Sequence, residues 1–335
     1  MSARSSAAGG PGPRRTGFGV VLPFPGIRLA DHRDALGRLA DAGVTDVWSG
    51  ETNGLDAVTT LAAAAAWQPS LGVGTGVVPA STRGPAVLAM TAAALAELDA
   101  RSVTIGVGAG ARVAVEAWNS IPYTRPAARV RDTVAFLRSA LGGERVDRDY
   151  ETFSVHGFRL ARPPRTAPQI MVGALRPHLL DLAGRDADGA VITCVGAGDV
   201  AEVSRHLPPD ARLASWLQVC PDPDTDRVRA WARPMLAAYL SVPAYAGMQR
   251  WLGRADRLDG LWTAWAAGDR RGAAAAIPDD VIDELIVHGT PARCAESLRH
   301  HVDAGVGEPV IAVQTFDTDP VAAAVAVADA FTRHR

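Results

Sequence analysis

No lysine occurs anywhere in the 335 residues; all 34 basic side chains are arginine. A lysine Schiff base is therefore excluded as a catalytic device. Any anion must be held by guanidinium, hydroxyl or backbone N–H. Cysteine is scarce. Cys194, Cys220 and Cys294 lie far apart without paired spacing, which excludes a disulfide framework and a CxxC zinc or redox site and suits a reducing cytoplasm. Excess charge of one sign is missing, since the 34 basic residues face 36 acidic ones. Nucleic-acid binding needs a basic surface to displace counterions, so that partner is not expected. No apolar run approaches the roughly 20 residues of a membrane span. The eight histidines form no HxH or HxxxH pair, and His300 and His301 are helical neighbours that point apart. No metal site is expected. A GxSxG nucleophile elbow and a P-loop are also absent.

What is present is a regular alternation. Residues 1–15 are small, polar and broken by Gly and Pro, and read as a disordered tail. Order is expected over 16–335 as one domain. Short apolar runs at 17–22, 45–50, 71–78, 102–108, 168–174, 189–195, 212–220 and 309–313 read as strands. Helical stripes separate them, with Gly43 as a helix stop, Pro85 near a helix start, and Thr290–Pro291 as a cap and first helical residue. Continuous apolar strands alternating with helices point to a parallel sheet covered on both faces. Eight such units are the number of a (β/α)8 TIM barrel; an open doubly wound sheet with a helical domain is the alternative. Two stretches break the repeat, after the fourth and seventh strands. Residues 143–162 alternate polar and apolar as in a hairpin, and 241–287 read as a helical insertion. Chain that follows a barrel strand lies at the substrate face, so both are candidates for a lid or a subunit contact.

Particular residues then suggest chemistry. Gly72, Gly74 and Gly76 alternate along one strand. Glycine weakens a strand unless a backbone, a ligand or a large neighbour comes close, so the pattern serves either a flat ring or barrel packing. MVGALRPH turns from a strand into a helix at Pro177, offering backbone N–H groups and Arg176 to an anion. Glu51 closes the second strand, where partial burial of its carboxylate would raise its pKa, or where it caps a helix or forms an ion pair. Arg83 is placed to meet an anion or a carboxylate, and Trp118 to wall a pocket.

Several segments in order, namely VWSGE, NGLDAVTTLAAAAA, LGVGTGVVPASTRGPAVLAMTAAALAEL, VTIGVGAG, PQIMVGALRPHLLDLAGRDADGAVIT and HGTPARCAESLRHHVDAG, resemble the luciferase-like monooxygenase superfamily and its coenzyme F(420)-dependent oxidoreductase branch. The resemblance implies a TIM barrel of the bacterial luciferase type with a deazaflavin at the C-terminal ends of the strands. It implies a non-prolyl cis peptide at Gly76–Val77 behind the ring. The cofactor would be met by Thr75, Gly76, Val77, Ala109 and Gly110, and its phosphate by Ala174, Leu175, Arg176 and Thr193. Glu51 and Thr52 stand where the family aims an acid and often a histidine at the reactive edge. A threonine hydroxyl cannot replace imidazole as an acid or base near neutrality, so Glu51 becomes the expected proton donor, with Tyr123 next. The implied activity is hydride transfer between coenzyme F(420) and a C=C, C=N or C=O bond of a small molecule, in a homodimer. The alternatives are an FMN-dependent monooxygenase and a ligand-binding barrel without turnover.

Overall fold

The computed structural model describes residues 17–333; the expected tail at 1–15 lies outside them. Eight strands pair in parallel: β1 (Gly19–Val21), β2 (Asp46–Ser49), β3 (Gly72–Thr75), β4 (Val103–Gly108), β5 (Gln169–Gly173), β6 (Gly189–Thr193), β7 (Arg212–Cys220) and β8 (Glu308–Val313). Each bonds to the next, and β8 returns to β1, so the sheet closes into a barrel. The run expected over 71–78 is interrupted. β3 ends at Thr75, the Gly76–Val77 peptide is cis, and Val78–Pro79 resumes pairing with β4.

Helices α1 (His32–Asp41), α2 (Ala57–Trp67), α3 (Pro85–Ala96), α4 (Pro126–Leu141), α5 (Pro177–Asp186), α6 (Val200–Ser204) and α7 (Thr225–Leu240) follow the first seven strands in turn. Their starts are written in the sequence. Asp56 and Asp224 accept N–H bonds from Thr59 (2.6 Å) and Arg227 (3.0 Å), and proline opens α3, α4 and α5. The insertion contains α8 (Pro243–Trp251), α9 (Ala255–Ala266), α10 (Arg270–Ala275) and α11 (Asp279–Leu285). It ends in a short strand, Ile286–His288, which pairs with the C-terminal end of β7. Then α12 (Pro291–Asp303), capped by Thr290, leads to β8, and α13 (Pro320–Thr332) packs beside α1 and α12.

The 143–162 stretch is an antiparallel hairpin, Val146–Asp149 with Ser154–Phe158. It runs along α4 instead of arching over the mouth. Phe136 of α4 packs against Tyr150, Phe153 and Phe158. Buried Asp132 accepts both the N–H and the hydroxyl of Thr152 at 2.8 Å. The lid expectation is corrected for this segment, whose turn is consumed by α4.

Side chains alternate in and out along each strand, so the barrel interior can be read in layers. At the N-terminal end lies a polar plug. Trp48 Nε1 donates to Glu308 Oε1 at 2.7 Å, and Arg212 bonds Glu308, Gln169 and Thr104, the last at 2.9 Å. Glu308 is only 1% exposed, and burial raises its pKa although Arg212 opposes the shift. Above the plug, Trp48, Met171, Val191, Ala214 and Val310 form an apolar layer. Trp216 and Val77, both half-buried, top the stack.

This filling decides the glycine pattern. A Cβ on Gly74 would stand 2.8 Å from the Trp48 ring, and one on Gly76 would collide with Trp216. One on Gly72 would strike Asp46 and Ser102. Of the two readings of the alternation, the structure supplies the packing one: Trp48 and Trp216 lie against Gly74 and Gly76, and Asp46 and Ser102 against Gly72.

Candidate active site at the barrel mouth

Two groups of residues meet at the C-terminal end of the barrel. The first surrounds the break in β3. Glu51 N–H donates to Val77 O at 3.2 Å, and Gly76 N–H to Ser49 O at 2.8 Å, so the end of β2 holds the cis bulge in place. The Val77 side chain leans over β4 and β5, where a Cβ on Gly108 or Gly173 would collide with it. Gly110 (φ +72°) lets its carbonyl accept the Tyr123 hydroxyl at 3.0 Å. Burial raises the Tyr123 pKa and keeps that proton in place.

The Glu51 carboxylate is not free. Arg83 Nε and Nη2 donate to its Oε1 at 3.0 and 2.5 Å, and Arg83 also pairs with Asp56. Burial opposes the guanidinium charge, but the two carboxylates outweigh it and raise the Arg83 pKa. Glu51 and Arg83 are each 17% exposed, so the pair is sheltered. Of the readings open for Glu51, the structure shows the ion pair. Thr52 beside it is exposed. Thr75, expected at the cofactor, has a buried hydroxyl that donates to Gly106 O at 2.9 Å and accepts Gly106 N–H at 2.8 Å, locking β3 to β4.

The second group lies over β5 and β6. Ala174 is buried and its N–H is bonded to Val191 O at 3.0 Å, so it has nothing to offer an anion, contrary to expectation. Leu175, Arg176 and His178 differ. Their backbone N–H groups have no acceptor among the described residues, and they stand at the start of α5. The Arg176 guanidinium has no carboxylate partner there either, and it lies against Gly247 of α8. Thr193 is half-buried and donates to Trp216 O at 2.9 Å, leaving oxygen lone pairs available. Free amides at a helix N-terminus beside an unpaired guanidinium make an anion site.

Sequence reasoning did not single out several residues of this mouth. Trp216 covers Gly76 and Gly50; the parity Arg212, Ala214, Trp216, Gln218 along β7 is the signal that would have placed it inward. Cys194 adopts φ 56° at the end of β6. Its carbonyl accepts from Gln249 of α8 at 2.9 Å, which ties the insertion down over the strand ends. Burial pushes the Cys194 thiol up to about 11, so it is no ready nucleophile. Tyr239 and Tyr245 meet edge-on at 5.7 Å beside it, their hydroxyls held protonated by burial. After β4, Val113–Trp118 forms a π-helical turn with Trp118 half exposed. No His, Cys, Asp and Glu cluster able to hold a metal occurs among the described residues.

A family model for luciferase-like monooxygenases matches residues 5–308. Among curated proteins, 5,10-methylenetetrahydromethanopterin reductase of Archaeoglobus fulgidus is 27% identical over 242 residues, covering 68% of this chain and 72% of that one. Among solved structures, the coenzyme F(420)-dependent tetrahydromethanopterin reductase of Methanopyrus kandleri superposes with a TM-score of 0.79 at 18% identity, covering 96% and 99% of the two chains. An F(420)-dependent secondary alcohol dehydrogenase in complex with an F(420)–acetone adduct gives 0.73 at 16%, covering 95% and 98%. At those identities the structures speak for the fold alone. The length of the family match, together with the closed barrel, places this chain in the luciferase-like monooxygenase family.

Proposed function

We propose that the chain is a coenzyme F(420)-dependent oxidoreductase that transfers hydride to or from a C=C, C=N or C=O bond of a small molecule. The observation that carries this reading is the anion cradle at the start of α5, with free N–H groups at Leu175, Arg176 and His178 and an unpaired Arg176. It fits a cofactor phosphate. A curated relative from Mycobacterium tuberculosis, 25% identical over 81% of this chain, carries the name of a putative coenzyme F(420)-dependent oxidoreductase, which favours the deazaflavin over FMN. When bound, the cofactor supplies a two-electron hydride from its ring carbon C5.

The chain's own residues bind and orient. Thr193 would join the phosphate end, while Val77, Gly76 and the Ala109–Gly110 turn would back the ring. Glu51 and Thr52 would border its reactive edge. Because Arg83 neutralises Glu51, we assign Glu51 to positioning: it fixes the bulge through its N–H and orients the reacting edge through its carboxylate. Glu51→Gln should then lower turnover by no more than about tenfold. A fall of about 10²-fold or more at unchanged cofactor affinity would restore Glu51 as the proton donor.

A homodimer accords with the outer faces of α2 and α3, which carry no charged side chain and leave Val87 and Met90 half exposed. Light scattering of the purified chain reads that state. The deciding test of function is a side-by-side titration with F(420) and FMN. Tight binding of F(420) alone supports the reading; preference for FMN moves the chain to monooxygenase chemistry, and binding of neither rejects both.

A further inference from the structure

The loop after β6, the insertion and α12 enclose a cavity of about 670 Å³. No residue assigned to the cofactor ring, its phosphate or its reactive edge lines it. Gly198 and Gly253 border the space, and a Cβ on either would meet nothing within 4 Å.

The carboxylates of this cavity are spent. Asp199 holds the buried Arg254 at 2.8 Å. Glu284 holds Arg254 and Arg257 at 2.8 and 2.9 Å, and Asp283 holds Arg229 and His288. The basic nitrogens are not spent. His301 is 4% exposed, and its Nδ1 lies 2.9 Å from the Ser297 carbonyl of its own helix. A carbonyl only accepts, so Nδ1 carries the hydrogen and Nε2 of the neutral ring is a bare lone pair. That Nε2 is buried and has no hydrogen-bond partner among the described residues. His288 repeats the arrangement: its Nε2 lies 3.0 Å from Asp283 Oδ1, and its Nδ1 is buried without a partner. On the rim, Arg293 holds only the exposed Glu296 of its own helix, a weak tie in water. Two buried orphan nitrogens at one cavity call for an explanation.

We propose that this cavity is a second anion site, which takes a small oxyanion of the phosphate or sulfate type together with a proton on His301. With neutral imidazoles, three arginines and three carboxylates line the cavity and leave no surplus charge. A proton turns His301 into a donor at both nitrogens and makes the lining positive. Burial lowers the His301 pKa; of its surroundings, the Ser297 and Val195 carbonyls and Asp199 favour the proton, and His300 opposes it. Arg254 of the insertion stands beyond Asp199. An oxyanion beside the ring supplies the negative charge that tips this balance towards the imidazolium. A neutral polyol would do the reverse, because it would donate to the bare lone pair and hold the ring unprotonated.

The test is a sulfate titration of the purified chain, read at the assigned His301 ring resonance by NMR. Sulfate keeps its double charge between about pH 5.5 and 7.5, so any pH dependence belongs to the protein. Saturating sulfate should raise the pH at which His301 titrates by about half a unit or more, and binding should tighten about threefold or more from the higher to the lower pH. Arg293→Ala, a change at an exposed position, should weaken this binding about threefold or more. Arg176→Ala should leave the His301 response intact, because the α5 turn is a separate place. A His301 resonance indifferent to sulfate, binding that does not tighten as pH falls, an Arg293→Ala variant that binds normally, or a response lost in Arg176→Ala overturns the inference. So does a larger His301 response to sorbitol than to sulfate, which would make the ligand a neutral polyol.

Discussion

The two ends of the barrel are built from the same eight strands and solve opposite problems. At the N-terminal end, polar groups close on one another: Glu308 receives Trp48 and Arg212, and Arg212 also reaches Thr104 and Gln169. At the C-terminal end, amides at Leu175 and Arg176 and one guanidinium have no acceptor among the described residues, and apolar side chains stand exposed. A satisfied network stabilises the fold, whereas open donors beside an apolar rim are groups waiting for a ligand. Substitutions at the closed end should therefore cost stability, and those at the open end should cost binding.

The largest effect is expected at the plug. Arg212→Ala leaves Glu308 buried without its cation, which should cost about 3–5 kcal/mol in denaturant unfolding. The folded fraction should still bind cofactor normally. Lost cofactor affinity with intact stability would erase the division between the ends. Gly76→Ala probes the boundary, since its methyl group meets the Trp216 ring. Overpacking of this kind costs about 1–3 kcal/mol, and Trp216→Leu in the same chain should recover most of it. If the second change recovers nothing, Trp216 is not what requires the glycine.

The smallest effect concerns pH. Burial lowers the His301 pKa from its ordinary value of 6.5, so the folded chain keeps this ring neutral while the unfolded chain protonates it. The stability this represents is present above the unfolded pKa and is lost as pH falls through it toward the folded value. Unfolding midpoints should drop below about pH 6.5, and His301→Gln should flatten that part of the profile. An unaltered profile would mean that other groups set the acid limb.

Much of the fold was legible because it is written locally. The eight apolar runs became the eight strands, Thr290–Pro291 became the cap of α12, and the 241–287 stretch became helical with only Ile286–His288 extended. The helical boundaries follow prolines and aspartates that act within a few residues. The site was less legible because its decisive contacts span the chain. Glu51 meets Arg83 across 32 positions and Trp48 meets Glu308 across 260. A glycine alternation announces that something bulky comes close without saying what, and here the Trp48 and Trp216 indoles lie against it. Thr75 shows the same limit: the resemblance names it beside the cofactor, and the structure shows its hydroxyl bridging two strands. The resemblance carried the Gly76–Val77 cis bond, which no composition or period contains.

The account's central claim is that the turn into α5 holds a cofactor phosphate at the open end. Its most direct test compares the affinities of F(420) and of the same deazaflavin stripped of phosphate and tail, for the wild-type chain and for Arg176→Ala. The account predicts that the wild type favours F(420), and that Arg176→Ala weakens F(420) by about 1–3 kcal/mol while leaving the stripped ring and thermal stability unchanged. Equal affinity of the wild type for both ligands, or an Arg176→Ala variant that binds F(420) as tightly as the wild type, would contradict it.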